Sequence, residues 1–148
     1  MMDFREFLVV AEMLAEGTTA AEWRSTVSRA YYAAFHVACE CLTSLGFRVP
    51  THTEQSHVFA WRRWSNTGEW RIDDAGRFLN TLRSDRNDAD YDKHATIIAR
   101  HADDAVRASR SVIETLDQLL RDKPLRTLVT EAIKKYERDV LKEVTWRA

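Results

Sequence analysis

Apolar residues recur every three or four positions along most of the chain, the spacing of one face of an α-helix. Phe4, Phe7, Leu8, Ala11 and Leu14 predict a first helix from about Asp3 to Glu16, stopped by Gly17. Thr18 and Thr19 can cap a second, with Glu22 as the capping-box partner of Thr19. Its stripe of Trp23, Val27, Ala30, Ala34, Ala38, Cys41 and Leu45 ends at Gly46. After the loop Phe47–His52, Thr53 caps a third helix carrying Val58, Trp61 and Trp64, and Asn66-Thr67-Gly68 stops it. Asp73 or Asp74 starts a fourth, with Phe78, Leu79 and Leu82 inward.

The polar stretch Arg83 to Asp92 interrupts that stripe and predicts a kink or break. A long helix follows from about His94 to Asp122, with Ile98, Ala102, Ala105, Val112, Leu116 and Leu119 inward, and Pro124 breaks it. A last helix, Leu125 to about Val144, packs through Leu128, Ile133, Tyr136 and Val140. Short connections between such helices predict an all-α antiparallel bundle. Four glycines and two prolines are too few for the turns of a β-sandwich or barrel. A length of 148 residues suits one domain, residues 1–148, able to bury its own core.

Composition narrows the partners. A net charge of −1 argues against a general nucleic-acid binder and leaves room for a local basic patch. Cys39 and Cys41 sit two apart, pointing away from each other on a helix, as small apolar residues of a reducing, cytoplasmic protein would. No apolar run approaches the roughly 18 residues of a membrane span, so no membrane is expected. His52 with His57, and His94 with His101, are poorly spaced for sharing a metal ion. There is no Gly-rich phosphate loop and no Gly-x-Ser-x-Gly elbow, so neither metal nor cofactor is expected.

Three segments can carry chemistry. In Arg83-Ser84-Asp85-Arg86-Asn87-Asp88-Ala89-Asp90-Tyr91-Asp92-Lys93-His94 an arginine fork can hold a phosphate, with Asn87 and Tyr91 as neutral partners. The competing reading is a solvated loop with Arg86 paired to Asp85, Asp88 or Asp90. In Ser28-Arg29-Ala30-Tyr31-Tyr32-Ala33-Ala34-Phe35-His36 the residues Ser28, Tyr32 and His36 fall four apart on one face, with Arg29 and Tyr31 beside them. They line a cleft or form half-buried core. Trp61-Arg62-Arg63-Trp64, followed by Trp70-Arg71, has the composition of a single-strand stacking platform. Its three-residue tryptophan spacing equally suits a core stripe with Arg62 and Arg63 solvated.

Taken in order, Ser28–His36, Pro50-Thr51-His52 and Arg86-Asn87-Asp88-Ala89-Asp90-Tyr91-Asp92 resemble the UPF0332 branch of the HEPN domain, over about Glu22 to Leu120. The helix Leu125–Val144 lies outside that core as an addition. The resemblance implies an HEPN-like helical bundle, often a homodimer with its motifs facing a shared cleft. It implies a toxin–antitoxin or defence setting and a minimal nucleotidyltransferase as partner protein. It also implies metal-independent action on RNA, through an arginine, a polar residue and a histidine after four to six intervening residues. Arg86 and Asn87 match the start. Four, five and six intervening residues lead to Tyr91, Asp92 and Lys93, and His94 comes one residue later.

The expected catalytic set is therefore Arg86, Asn87 and Tyr91 or His94, with Ser28, Arg29, Tyr32, His36 and Asp90 lining the binding cleft. The departure at the histidine sustains a second reading. In it the bundle binds RNA, a nucleotide or a partner without cutting.

Overall fold

The computed structural model describes residues 1–51 and 53–148. His52, and with it the end of the Pro50-Thr51-His52 stretch, lies outside the described residues. Among the described residues six helices follow one another: α1 Glu6–Ala15, α2 Ala20–Leu45, α3 Gln55–Trp64, α4 Trp70–Tyr91, α5 Ala99–Arg121 and α6 Lys123–Tyr136. A π-turn, Glu137–Leu141, ends the last. The all-α bundle expected from the periodicity is what the chain forms.

α2 is the axis. It packs against α1, α3, α4 and α5, and Val27, Ala30, Ala34, Ala38 and Cys41 are all buried. Its start is the capping box anticipated from Thr19 and Glu22. Its end is Gly46, at φ +107°, a backbone conformation that a side chain disfavours. Small residues let α5 approach closely enough for Ser109 to donate to the Ala30 carbonyl across 2.7 Å in the core. α1 is tied to α5 at both ends, by Arg5 to Asp117 and by Glu12 to Arg110. Gly76 lets α4 cross the end of α3, since a Cβ there would lie 2.5 Å from the carbonyl carbon of Trp64.

Several expectations are corrected. α4 begins at Trp70, and Asp73 instead accepts from the Thr67 and Gly68 N–H groups, closing the loop before the helix. The polar stretch does not break α4, which runs on to Tyr91. Leu82, Arg86 and Ala89 keep a buried stripe through it, while Ser84, Asp85 and Asp88 face solvent. The break falls after Tyr91, so α5 starts at Ala99 rather than at His94, and His101 Nδ1 accepts from the Ile98 N–H there. Phe78 and Ile98 are exposed, not inward. Thr53 contributes its carbonyl, to Ser56, and no side-chain cap to α3.

The C-terminal segment departs most. Pro124 lies inside the first turn of α6, where its missing N–H costs nothing. Val129 and Ile133 are buried, and Leu128 and Val140 point outward. The helix stops at Tyr136 because Glu137 is drawn inward. Its carboxylate accepts from Arg63 Nε at 2.7 Å, from the Thr145 N–H at 2.9 Å and from the Thr145 hydroxyl at 2.6 Å. Arg63, expected in solvent, is thus buried, and Arg62 alone is exposed. The returning tail lays Trp146 on the end of α2, where its indole donates to the Leu45 carbonyl.

This ion pair predicts a stability effect. Glu137→Gln strands a buried guanidinium and lowers unfolding free energy by about 3–5 kcal/mol, measured by urea denaturation. The double replacement Arg63→Met with Glu137→Met recovers most of it. A loss below about 0.5 kcal/mol for the single variant, the size typical of surface changes, contradicts the burial of the pair.

Candidate functional site

The seam between α2 and α4 contains the one arginine of the polar stretch that is buried. Arg86 is 8% exposed, in the last turns of α4. Its guanidinium carbon lies 5.5 Å from the ring centre of Tyr31, 5.3 Å from that of Tyr32 and 5.9 Å from that of Tyr91. Its nearest carboxylate is Asp90, one turn on, at 3.9 Å. Its Nε–H has no hydrogen-bond acceptor among the described residues. Ring faces and one distant carboxylate therefore hold this cation, an arrangement short of full compensation.

Asp90 is positioned from the other side. The Ser28 hydroxyl donates to its Oδ2 at 3.2 Å, which links α2 to α4. Tyr32 is contacted twice, since Arg29 also lies 5.3 Å from its ring centre and from that of Phe7. Four of the expected binding residues, Ser28, Arg29, Tyr32 and Asp90, thus surround Arg86 directly or through one neighbour. His36 does not. Each four-residue step on a helix overshoots a full turn by about 40°, so His36 is rotated about 80° from Ser28. It stacks on Phe4 at 4.0 Å and faces α1.

In front of Arg86 lies a groove of about 390 Å³, lined by residues including His57, Arg83, Arg86, Asn87 and Tyr91. Asn87 and Tyr91 therefore meet Arg86 at one opening, and Tyr91 is 77% exposed, a free aromatic face beside a buried cation. His94 is outside the groove. It is exposed in the α4–α5 connection, where its N–H donates to Asp92 Oδ1 at 2.9 Å.

Two residues near Arg86 were not singled out as site residues from the sequence. His57, on α3, is marked in the sequence only by its poor metal-ligand spacing to His52. Its Nδ1 shares a 2.5 Å hydrogen bond with the Tyr31 hydroxyl, and its ring stacks on Phe35 at 4.3 Å. Burial, then the charges of Arg86 and Arg83, hold its pKa below the usual 6.5. Arg24 is the other. It reaches from α2 to donate to the carbonyls of Asp88, Ala89, Asp92 and Ala95, closing the end of α4. The signal for it was present: Arg24, Ser28, Tyr31 and Phe35 form the i, i+4, i+7, i+11 stripe that faces α4 and α3.

Cys39 and Cys41 take no part. Burial pushes both thiols up to about 12, leaving no thiolate at neutral pH.

A family model of the HEPN domain matches residues 5–119. The chain belongs to the HEPN family. The match takes in α1, ahead of the Glu22 at which the resemblance begins, and stops before α6. No curated protein and no solved structure matches the chain. Within this HEPN fold the bundle holds Arg86 of α4 and His57 of α3 at one groove. Among the described residues no helix is long and apolar enough to cross a membrane.

Burial also depresses the pKa of His36. Both histidines therefore bind a proton more weakly folded than unfolded, where the usual value is 6.5. As pH falls through that value the unfolded chain gains protons first, so stability drops below about pH 6.5 and levels off once the folded sites protonate. Urea denaturation from pH 7.5 to 5 is expected to show this drop, reduced in His36→Gln/His57→Gln. An unchanged slope in the double variant contradicts it.

Proposed function

We propose that this HEPN protein binds RNA through Arg86 and cleaves it without a metal ion. The observation that carries this reading is the buried guanidinium, compensated by ring faces and a carboxylate at 3.9 Å, at the mouth of an open groove. A phosphodiester supplies the missing charge. It would accept from the guanidinium fork, with Asn87 as a neutral helper and Tyr91 as a stacking surface for a neighbouring base. As negative charge builds on the phosphoryl oxygens in the transition state, a preorganised cation in a low-dielectric seam stabilises it.

In the same reading the protein is a cytoplasmic member of a toxin–antitoxin or defence pair. It works as a homodimer whose two grooves share one cleft, with a minimal nucleotidyltransferase as partner protein. The order Ser28–His36 before Arg86–Asp92 supports placing it in the UPF0332-like branch.

A second reading is favoured by His94, which falls outside the groove. With that histidine unused, the same cradle would serve a non-catalytic module holding a nucleotide or RNA end.

End-labelled tRNA and mixed RNA, incubated with excess chelator, separate the two. Chelator-resistant cleavage that falls about 10²-fold or more in Arg86→Gln, the usual cost of one transition-state donor, is the expected result. Full activity in Arg86→Gln overturns the assignment of Arg86. Tight binding with intact RNA favours the second reading.

A further inference from the structure

The groove holds a proton acceptor that the Arg86 segment does not supply. We propose that His57, from α3, is the general base of the cleavage reaction, standing where a histidine further along α4 would be expected, and that Tyr31 orients it. The proposal rests on the reading of the groove as an RNA-cleaving site.

The geometry is that of a base held by a third group. Tyr31 is fully buried on α2, and its hydroxyl makes one hydrogen bond among the described residues, to His57 Nδ1. Stacking on Phe35 at 4.3 Å and on Tyr31 at 5.7 Å fixes the plane of the imidazole. The same Tyr31 ring lies 5.5 Å from the Arg86 guanidinium carbon, so one aromatic side chain places both the cation and the imidazole. Nδ1 is committed to Tyr31, and Nε2 has no partner among the described residues. Nε2 is the nitrogen left for substrate in a groove that His57 lines with Arg86 and Asn87.

The charges facing His57 suit a base. Burial first, then Arg86 and Arg83 on α4, disfavour its protonation; Glu54, just ahead of α3, favours it, and His36 on α2 disfavours it. The imidazole is therefore neutral at pH 7. The base role takes the tautomer in which Nδ1–H donates to the Tyr31 oxygen and Nε2 keeps its lone pair.

A phosphodiester on Arg86 sets the reaction. Nε2 takes the proton of the ribose 2′-hydroxyl as that oxygen bonds to phosphorus. The bond from phosphorus to the 5′-oxygen breaks, its electron pair stays on that oxygen, and water protonates it. The imidazolium returns its proton to solvent. The products are a 2′,3′-cyclic phosphate and a 5′-hydroxyl, with no redox change and no metal required.

The test compares wild type, His57→Gln, Tyr31→Phe, Arg83→Gln, His94→Ala and Arg86→Gln. It measures cleavage of end-labelled RNA, binding of a 2′-O-methyl RNA, and circular dichroism for fold. His57→Gln is expected to lose cleavage at least 10²-fold with RNA binding unchanged. Tyr31→Phe keeps the ring but loses the hydroxyl, and is expected to lower kcat several-fold without changing KM. The acidic limb of the wild-type kcat/KM profile is expected below pH 6.5 and to move upward in Arg83→Gln, which lifts one repulsive charge.

Chelator-resistant cleavage that persists in folded His57→Gln but vanishes in Arg86→Gln or His94→Ala overturns the role of His57 and leaves the cleavage reading standing. If His57→Gln fails to fold, an unaltered kcat in Tyr31→Phe together with an unmoved limb in Arg83→Gln overturns it instead. A folded wild type that binds RNA and never cuts it overturns both.

Discussion

Arg86 carries a full positive charge into the seam between the two helices that define the site, and the bundle compensates it mainly with aromatic faces. Moving such a cation out of water costs several kcal/mol, whereas a desolvated cation–π contact returns about 2 kcal/mol. The tyrosines must therefore act together, and Tyr31, Tyr32 and Tyr91 reach Arg86 only if α4 stays helical through its polar end. That explains why Arg24 closes the C-terminus of α4. Ser28 donates to Asp90, whose carboxylate stands 3.9 Å from Arg86.

The rest of the fold serves to make this seam rigid. Small residues on α2 let α5 pack close behind it, and α1 closes the far face. α3 is brought against α4 by the absence of a side chain at Gly76, which sets His57 in front of Arg86. The same end of α3 is locked by Arg63 in its buried pair with Glu137. The segment after the HEPN match thus has a structural consequence: it anchors the helix that carries the imidazole.

The fold was legible because periodicity and caps agree. Thr19 with Glu22, Gly46, and the stripe from Val27 to Leu45 all point to one long central helix. Where the reading failed, tertiary context overrode the local signal. Arg83 to Asp92 is polar enough to suggest a break, yet a stripe of Leu82, Arg86 and Ala89 suffices once aromatic rings can receive the arginine. Arg63 looked solvated because its partner, Glu137, is 74 residues away. Leu128 faces outward because Val129, one step on, makes the contact of α6 with Ile133, and Val140 faces outward because the π-turn turns Glu137 inward instead. At the site, Ser28 and Tyr32 could be named from their spacing along one helix, Arg86, Asn87 and Tyr91 from their side-chain chemistry, and Asp90 from the resemblance to the HEPN motifs. His57 could not, because nothing in a linear motif records which side chain of α3 crosses in front of α4.

The most direct measurement of the central claim is a crystal structure with a short RNA made uncleavable by 2′-O-methyl groups. The account predicts a phosphate oxygen within hydrogen-bond distance of the Arg86 guanidinium and the adjoining ribose 2′-oxygen beside His57 Nε2. RNA seated elsewhere on the bundle, with Arg86 still enclosed by its tyrosines and Asp90, would contradict it.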